Sequence, residues 1–249
     1  IAVLTSGGDS PGMNAALRAI AKLAASKGVQ VMGVMEGYEG LMDGNFRELT
    51  KTLSDGTVTV DVEVDAAGNQ GGTMIGSARS LRFREDAGRA QATMQMVKHG
   101  LEGLIVIGGN GSLTGAHIFS RESGLPVIGV PGSIDNDIGC TALALGVDTA
   151  LNTIVHACDQ ISDTARAHRR AFVVEVMGRD CGYLAMASAI AVAADAVMIR
   201  EQGKSEEQLV ADLMSVIRSC SARGKRRILI IKAEGVQMPC TRLVRRAEE

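Results

Sequence analysis

The chain has 249 residues, 46% of them hydrophobic and 22% charged, a globular composition with enough material for one or two buried cores. A net charge of −2 and an aromatic content of 2%, with no Trp, argue against a basic field for duplexes or membranes and against a stacking platform for single-stranded nucleic acid. Five cysteines without a C-x-x-C pair read as thiols of a reducing cytosol, and no apolar run is long enough to span a bilayer.

In chain order the pattern is strand, glycine loop, helix, repeated. I-A-V-L-T (1–5) is an apolar strand running into S-G-G-D-S-P-G, and M-N-A-A-L-R-A-I-A-K-L-A-A-S-K has helical spacing up to Gly28. V-Q-V-M-G-V-M (29–35) is a second strand. Residues 53–70 alternate as V-T-V-D-V-E-V and then turn glycine-rich, which predicts a surface ribbon or excursion. A helix is predicted around 86–99, strands at 104–107 and 125–130, and a long helix over 147–166. Strands follow at 171–176, 194–199 and 227–234, with an amphipathic helix over 206–220. Short apolar strands alternating with helices predict α/β architecture, with mainly parallel sheets covered on both faces and ligands at the carboxyl ends of the strands. The long helix marks a domain change, with 1–147 as the larger domain and 148–249 as the smaller. Ile1 lies inside a strand and R-L-V-R-R-A-E-E carries no stop signal, so both ends are expected to be cuts through a longer protein.

Four strand-to-helix loops carry unusual chemistry. T-S-G-G-D-S-P-G (5–12) and G-G-N-G-S (108–112) place glycines and hydroxyls where backbone N–H groups and a helix dipole favour an anion. Either one alone is a tight turn that needs no ligand, and neither is a P-loop or a dinucleotide fingerprint; two such loops can clasp one polyphosphate. P-G-S-I-D-N-D-I (131–138) sets Asp135 and Asp137 two apart beside Ser133. Two carboxylates there can divide the work of activating a hydroxyl and holding a metal. A-H-R-R (167–170) and E-V-M-G-R (175–179) bring guanidinium forks, which match phosphate oxygens, to strand ends.

T-S-G-G-D-S-P-G-M-N-A, G-G-T-M-I-G-S-A-R, I-G-G-N-G-S, P-G-S-I-D-N-D-I and E-V-M-G-R-D-C-G-Y, in this order, resemble the 6-phosphofructokinase family over nearly the whole chain. The resemblance implies two three-layer α/β/α domains with mainly parallel sheets. It implies transfer of the γ-phosphoryl of ATP to the 1-hydroxyl of fructose 6-phosphate, with Mg²⁺, in the cytoplasm. Asp135 would be the general base, Ser133 would bind the group in transit, and Arg179 and Arg79 would neutralise its charge. Gly8, Tyr38, Arg79, Arg84, Gly109, Asn110, Gly111 and Ser112 would line the ATP site. Ser133, Ile134, Asp135, Arg170, Met177, Gly178, Arg179 and Glu234 would hold the sugar phosphate. Arg170 would reach across an interface of a homotetramer.

The resemblance also has departures. Pyrophosphate users typically carry Asp and Lys where this chain has Gly111 and Gly132, which implies ATP as donor. Arg18, Lys22, Asp195, Arg223 and Lys225 match a basic effector site of bacterial members, but Ser162 stands where an arginine is usual and Ala193 where a glycine is. Asn110 stands where the family's G-G-D-G has a metal-holding aspartate. It keeps an oxygen ligand and drops a charge worth roughly 4 kcal/mol at about 4 Å and an effective dielectric near 20. The resemblance thus implies Asn110 and Asp137 as the metal-side residues, with a catalytically silent subunit as the rival reading. The family continues for several tens of residues beyond Glu249, so the carboxyl end is expected to be truncated.

Overall fold

The computed structural model describes residues 1–248, which divide into two compact units. One comprises Ile1–Ser133 with Ile138–Gly146, the other Ile134–Asp137 with the chain from Val147 onward. Residues 134–137 thus group with the second unit, away from the sequence on either side of them.

The first unit begins with β1 (Ala2–Ser6), α1 (Met13–Ala25), β2 (Met32–Val34), α2 (Gly37–Asp43), β3 (Phe46–Glu48), β4 (Thr50–Thr52), β5 (Val58–Val60) and α3 (Val62–Ala67). A short 3₁₀ turn at Arg82–Arg84 precedes α4 (Asp86–Lys98), β6 (Leu104–Gly108), α5 (Asn110–Ser123) and β7 (Val127–Pro131). The main sheet runs β3-β2-β1-β6-β7, parallel except for the edge strand β3. All five residues of β1 are buried, and its successive side chains feed opposite cores. Leu4 packs with Val106, Tyr38 and Phe119, whereas Val3 packs with Met13, Leu17 and Ile107. Burial on both faces makes the strand a continuous apolar run. The register pairs Ser6 with Gly108 and Gly108 with Pro131, so the carboxyl ends of β1, β6 and β7 finish on one rung.

The second unit contains α6 (Val147–His168), β8 (Ala171–Val176), α7 (Tyr183–Ala191), β9 (Ala196–Met198), α8 (Glu206–Ala222), β10 (Ile228–Ala233) and α9 (Cys240–Glu248). Its sheet, β8-β10-β9, is parallel, and every residue of the central β10 is buried. Ser205 and Gln208 close a capping box that starts α8. Leu209 and Leu213 on that helix join Ile228, Leu229, Ile230 and Ile231 in one core. No helix among the described residues is long and apolar enough to cross a membrane.

Three local expectations change. V-T-V-D-V-E-V alternates throughout, yet only Val58–Val60 is strand, paired with β4. The Asp61 carboxylate accepts the Glu63 N–H at 2.9 Å and caps α3, turning Val64 and Ala67 inward while Val62 stays exposed. G-N-G-S, expected as loop, is the first turn of α5, with Gly109 at its N-cap. Helices α2 and α7 carried no helical signal. The first contains two glycines, and Y-L-A-M-A-S-A-I-A is apolar on every side, so neither shows a 3.6-residue stripe.

Candidate active site

In the first unit, the strand-end loops are stitched together by side chains far apart in sequence. Thr5 Oγ1 donates to the Gly76 carbonyl at 2.7 Å, and Ser77 Oγ donates to the Gly7 carbonyl at 2.7 Å. The Asn14 amide donates to the Gln70 and Gly71 carbonyls at 3.2 Å, and its oxygen accepts the Met74 N–H at 2.7 Å. These bonds hold G-G-T-M-I-G-S against the turn between β1 and α1. Thr5, Asn14 and Ser77 were missed as bracing residues. Their only signal is membership of the two motifs, and nothing local says that the motifs meet.

The β6–α5 junction needs a glycine, because a Cβ at Gly108 would lie 2.5 Å from the Ser6 carbonyl oxygen. Just beyond it, Ser112 Oγ donates to Ser6 Oγ at 2.9 Å. Tyr38 Oη donates to the Ser112 carbonyl at 2.7 Å, and its ring stacks on Phe83 at 3.8 Å. Burial pushes the Tyr38 phenol well above its ordinary value, so it is a neutral donor. Tyr38 and Ser112, expected to line a nucleotide site, are buried and brace the first turn of α5. By contrast, a Cβ on Gly8 or Gly111 would meet nothing within 4 Å. Gly132 is partly a packing requirement, since a Cβ there would come 3.3 Å from Ile107. Arg79 and Arg84 are exposed and have no ion-pair partner among the described residues. Their neighbours are committed: Arg82 to Glu39 and Asp43, and Arg89 to Glu122, Asp86 and the carbonyls of Phe83 and Arg84.

In the second unit, Ile134–Asp137 kinks at Asn136, whose φ is 54°. Asp135 is half-buried and Asp137 exposed. Burial pushes the Asp135 carboxyl above its ordinary value; the charges of Asp137 and Glu234 add to this and Arg179 opposes it. The turn after β8 is left-handed at both Gly178 (φ 138°) and Arg179 (φ 56°). Glu234 Oε1 accepts both of their N–H groups, that of Gly178 at 3.0 Å. The two strands close here, because a Cβ on Gly235 would lie 2.3 Å from the Arg179 carbonyl. Met177 and Arg179 face solvent, and Arg170 is exposed directly after Arg169, another left-handed residue. This unit therefore gathers Asp135, Arg179 and Glu234 within electrostatic reach of one another. It can hold a carboxylate of raised proton affinity beside a guanidinium.

All 249 residues match the family model described as Phosphofructokinase. The chain belongs to the phosphofructokinase family. It is 46% identical over 237 residues to a protein of Thermotoga neapolitana named ATP-dependent 6-phosphofructokinase, covering 94% of this chain and 69% of that one. Against the protein of the same name from Brevibacillus brevis, identity is 48%, covering 95% and 69%. Among solved structures, the phosphofructokinase of Saccharomyces cerevisiae aligns with a TM-score of 0.82 at 40% identity, covering 94% of this chain and 33% of that chain. A pyrophosphate-dependent phosphofructokinase from Marinobacter aquaeolei aligns with a TM-score of 0.80 at 19% identity, which speaks for the fold.

For this phosphofructokinase-family chain, the residues matched to an effector site fall in both units. In the first, Arg18 and Lys22 both pair with Asp65, at 2.6 and 2.8 Å. In the second, burial would raise the Asp195 carboxyl, but Lys225, the Leu229 N–H and the Cys220 thiol hold it below its ordinary value. Arg223 lies against the Cys220 sulfur at 3.4 Å. A cavity of about 760 Å³ opens beside them, lined by Arg166, Lys225, Arg226 and Arg227 with Asp159. Arg227 spans the Ser162 hydroxyl (3.1 Å) and the Ala193 carbonyl (2.7 Å). Arg166, Arg226 and Arg227 were missed as cavity residues, although the run R-G-K-R-R was a signal.

No three His, Cys, Asp or Glu side chains cluster as a metal cage among the described residues. Asn110 stands at the first residue of α5 in the first unit, and Asp137 is an exposed carboxylate of the second.

Proposed function

We propose that the chain carries the active site of an ATP-dependent 6-phosphofructokinase, passing the γ-phosphoryl of ATP to the 1-hydroxyl of fructose 6-phosphate. The observation that carries this reading is Asp135: half-buried, raised in proton affinity, and facing the Arg179 charge. As the 1-hydroxyl oxygen bonds to phosphorus and the bond to the β-phosphate oxygen breaks, Asp135 takes the hydroxyl proton and ADP leaves. A base of raised pKa is the better acceptor near neutral pH. Arg179 and Arg79 offset charge on the group in transit, and Ser133 binds it.

The first unit supplies the nucleotide residues: Gly8, Arg79, Arg84 and the α5 turn from Gly109 to Ser112, braced by Tyr38. Open space at Gly111 supports a nucleotide over pyrophosphate. The second unit supplies the sugar-phosphate residues Ile134, Asp135, Arg170, Met177, Gly178, Arg179 and Glu234. Asn110 and Asp137 would hold Mg²⁺, which when bound offsets the charge of the β- and γ-phosphates. A cytoplasmic homotetramer, with control at the Arg18, Lys22, Asp195, Arg223 and Lys225 positions, completes the reading.

Asn110 favours one rival, a subunit that binds without turnover. The deciding experiment measures ADP release from ATP with fructose 6-phosphate and Mg²⁺, beside Asp135→Ala and a pyrophosphate reaction. Sugar-dependent ADP release that Asp135→Ala abolishes supports the kinase. Turnover with pyrophosphate alone would overturn the choice of donor, and silence with both in a folded protein would favour the rival.

A further inference from the structure

Lys232 is 1% exposed in β10, and the proposed reaction does not use it. An ammonium held out of water is unfavourable unless paired. Its Nζ pairs with Glu175 Oε2 on β8 at 2.9 Å and donates to the Ala233 carbonyl at 3.3 Å. Glu175 also accepts from the thiol of Cys240, which begins α9. Lys232 and Glu175 are direct partners in the parallel register, so both side chains leave the same face of the sheet. The register ends one rung later, at Ala233 and Val176. Next along the two strands come Glu234 and the Met177–Gly178–Arg179 turn, joined by the two N–H bonds to Glu234 Oε1.

We propose that the Lys232–Glu175 pair is a register lock that positions the Met177–Gly178–Arg179 turn. Its consequence for sugar-phosphate binding rests on the phosphofructokinase reading. The apolar residues of the two strands supply only part of this lock. A slide by two residues keeps every side chain on its face and still sets Ile230 and Ile231 against Ala171 and Phe172, although Ile228 and Leu229 would then meet Arg169 and Arg170. That slide would place Lys232 opposite Val173 and Glu234 opposite Glu175. It would bury an unpaired ammonium, and Glu234 would no longer meet the N–H groups of Gly178 and Arg179. Only the observed register satisfies the charge.

The test combines amide exchange and steady-state kinetics in Lys232→Met and Glu175→Gln. If the pair is a lock, exchange at Gly178 and Arg179 rises about tenfold or more in Lys232→Met while α8 amides keep their protection. KM for fructose 6-phosphate rises about tenfold and KM for ATP stays within about twofold. Glu175→Gln gives a smaller change in the same direction, because the amide oxygen still accepts from the ammonium. Glu175 is partly exposed, so this variant decides the matter if Lys232→Met does not fold. A uniform rise in exchange with unchanged KM for the sugar means a purely stabilising pair and overturns the lock. Wild-type protein silent toward fructose 6-phosphate sinks the phosphofructokinase reading instead, and the exchange pattern still decides the lock.

Discussion

Glu234 Oε1 accepts the Gly178 N–H at 3.0 Å and so holds a left-handed turn at the end of β8 from the end of β10. The same oxygen takes the Arg179 N–H, leaving the Arg179 guanidinium projecting from a fixed backbone. Replacing Glu234 with Ala removes both acceptors and frees a turn that Arg179, as a non-glycine residue, adopts reluctantly. Turnover per KM for fructose 6-phosphate is expected to fall by about a hundredfold in Glu234→Ala and less in Glu234→Gln, which keeps an acceptor. Steady-state kinetics on both variants check this; equal losses would mean that the charge of Glu234 matters more than its grip on the turn.

Asp135→Asn separates stability from activity. The folded protein binds the Asp135 proton more tightly than the unfolded chain, whose carboxyl titrates at the ordinary value of 3.8. Wild-type stability therefore falls as pH rises from that value through the raised native pKa, and the penalty persists at neutral pH. The Asn variant lacks the penalty. Its Tm is expected to exceed that of wild type at neutral pH and to converge with it in acid below the unfolded value. Activity is expected to drop by roughly 10²–10⁴. A variant less stable than wild type at neutral pH would show that the carboxylate is favourably held.

Asn110→Asp restores a carboxylate at the first residue of α5, a helix with no acidic residue in its first turn. An anion there suits the helix dipole, so Tm is expected to rise by about 1–3 °C. At limiting Mg²⁺, turnover is expected to rise several-fold, and at saturating Mg²⁺ to change little. Unchanged turnover at limiting metal would make the carboxylate dispensable in this chain.

The cysteines are expected to alkylate in a defined order. Cys140 is exposed, whereas burial and the Glu175 carboxylate push the Cys240 thiol up to about 11. Cys158 is buried and also raised, by burial first and Asp159 next. Iodoacetamide at neutral pH followed by peptide mass spectrometry should find Cys140 modified first, with Cys240 and Cys158 slow, since the thiolate is the nucleophile. Early modification of Cys240 would mean that its bond to Glu175 does not persist in solution.

The strand–loop–helix alternation was legible in the sequence, and so were the principal strands of both sheets, because their apolar runs and glycine stops act within a few residues. Asp135 and Arg179 were nominated as site residues by their motifs and Glu234 by the family resemblance alone, and the motifs also pointed to the family. The helix at Val62–Ala67 was not, because a single capping carboxylate at Asp61 outweighed an alternating pattern. Tertiary packing alone decided which motifs meet: Asn14 and Met74 lie 60 residues apart, and Gly178 and Glu234 lie 56 apart. It also decided that Tyr38 and Ser112 support the α5 turn from beneath, and that Asp135 is raised rather than lowered. Those outcomes depend on burial and on charges delivered by distant strands, and one-dimensional spacing carries neither.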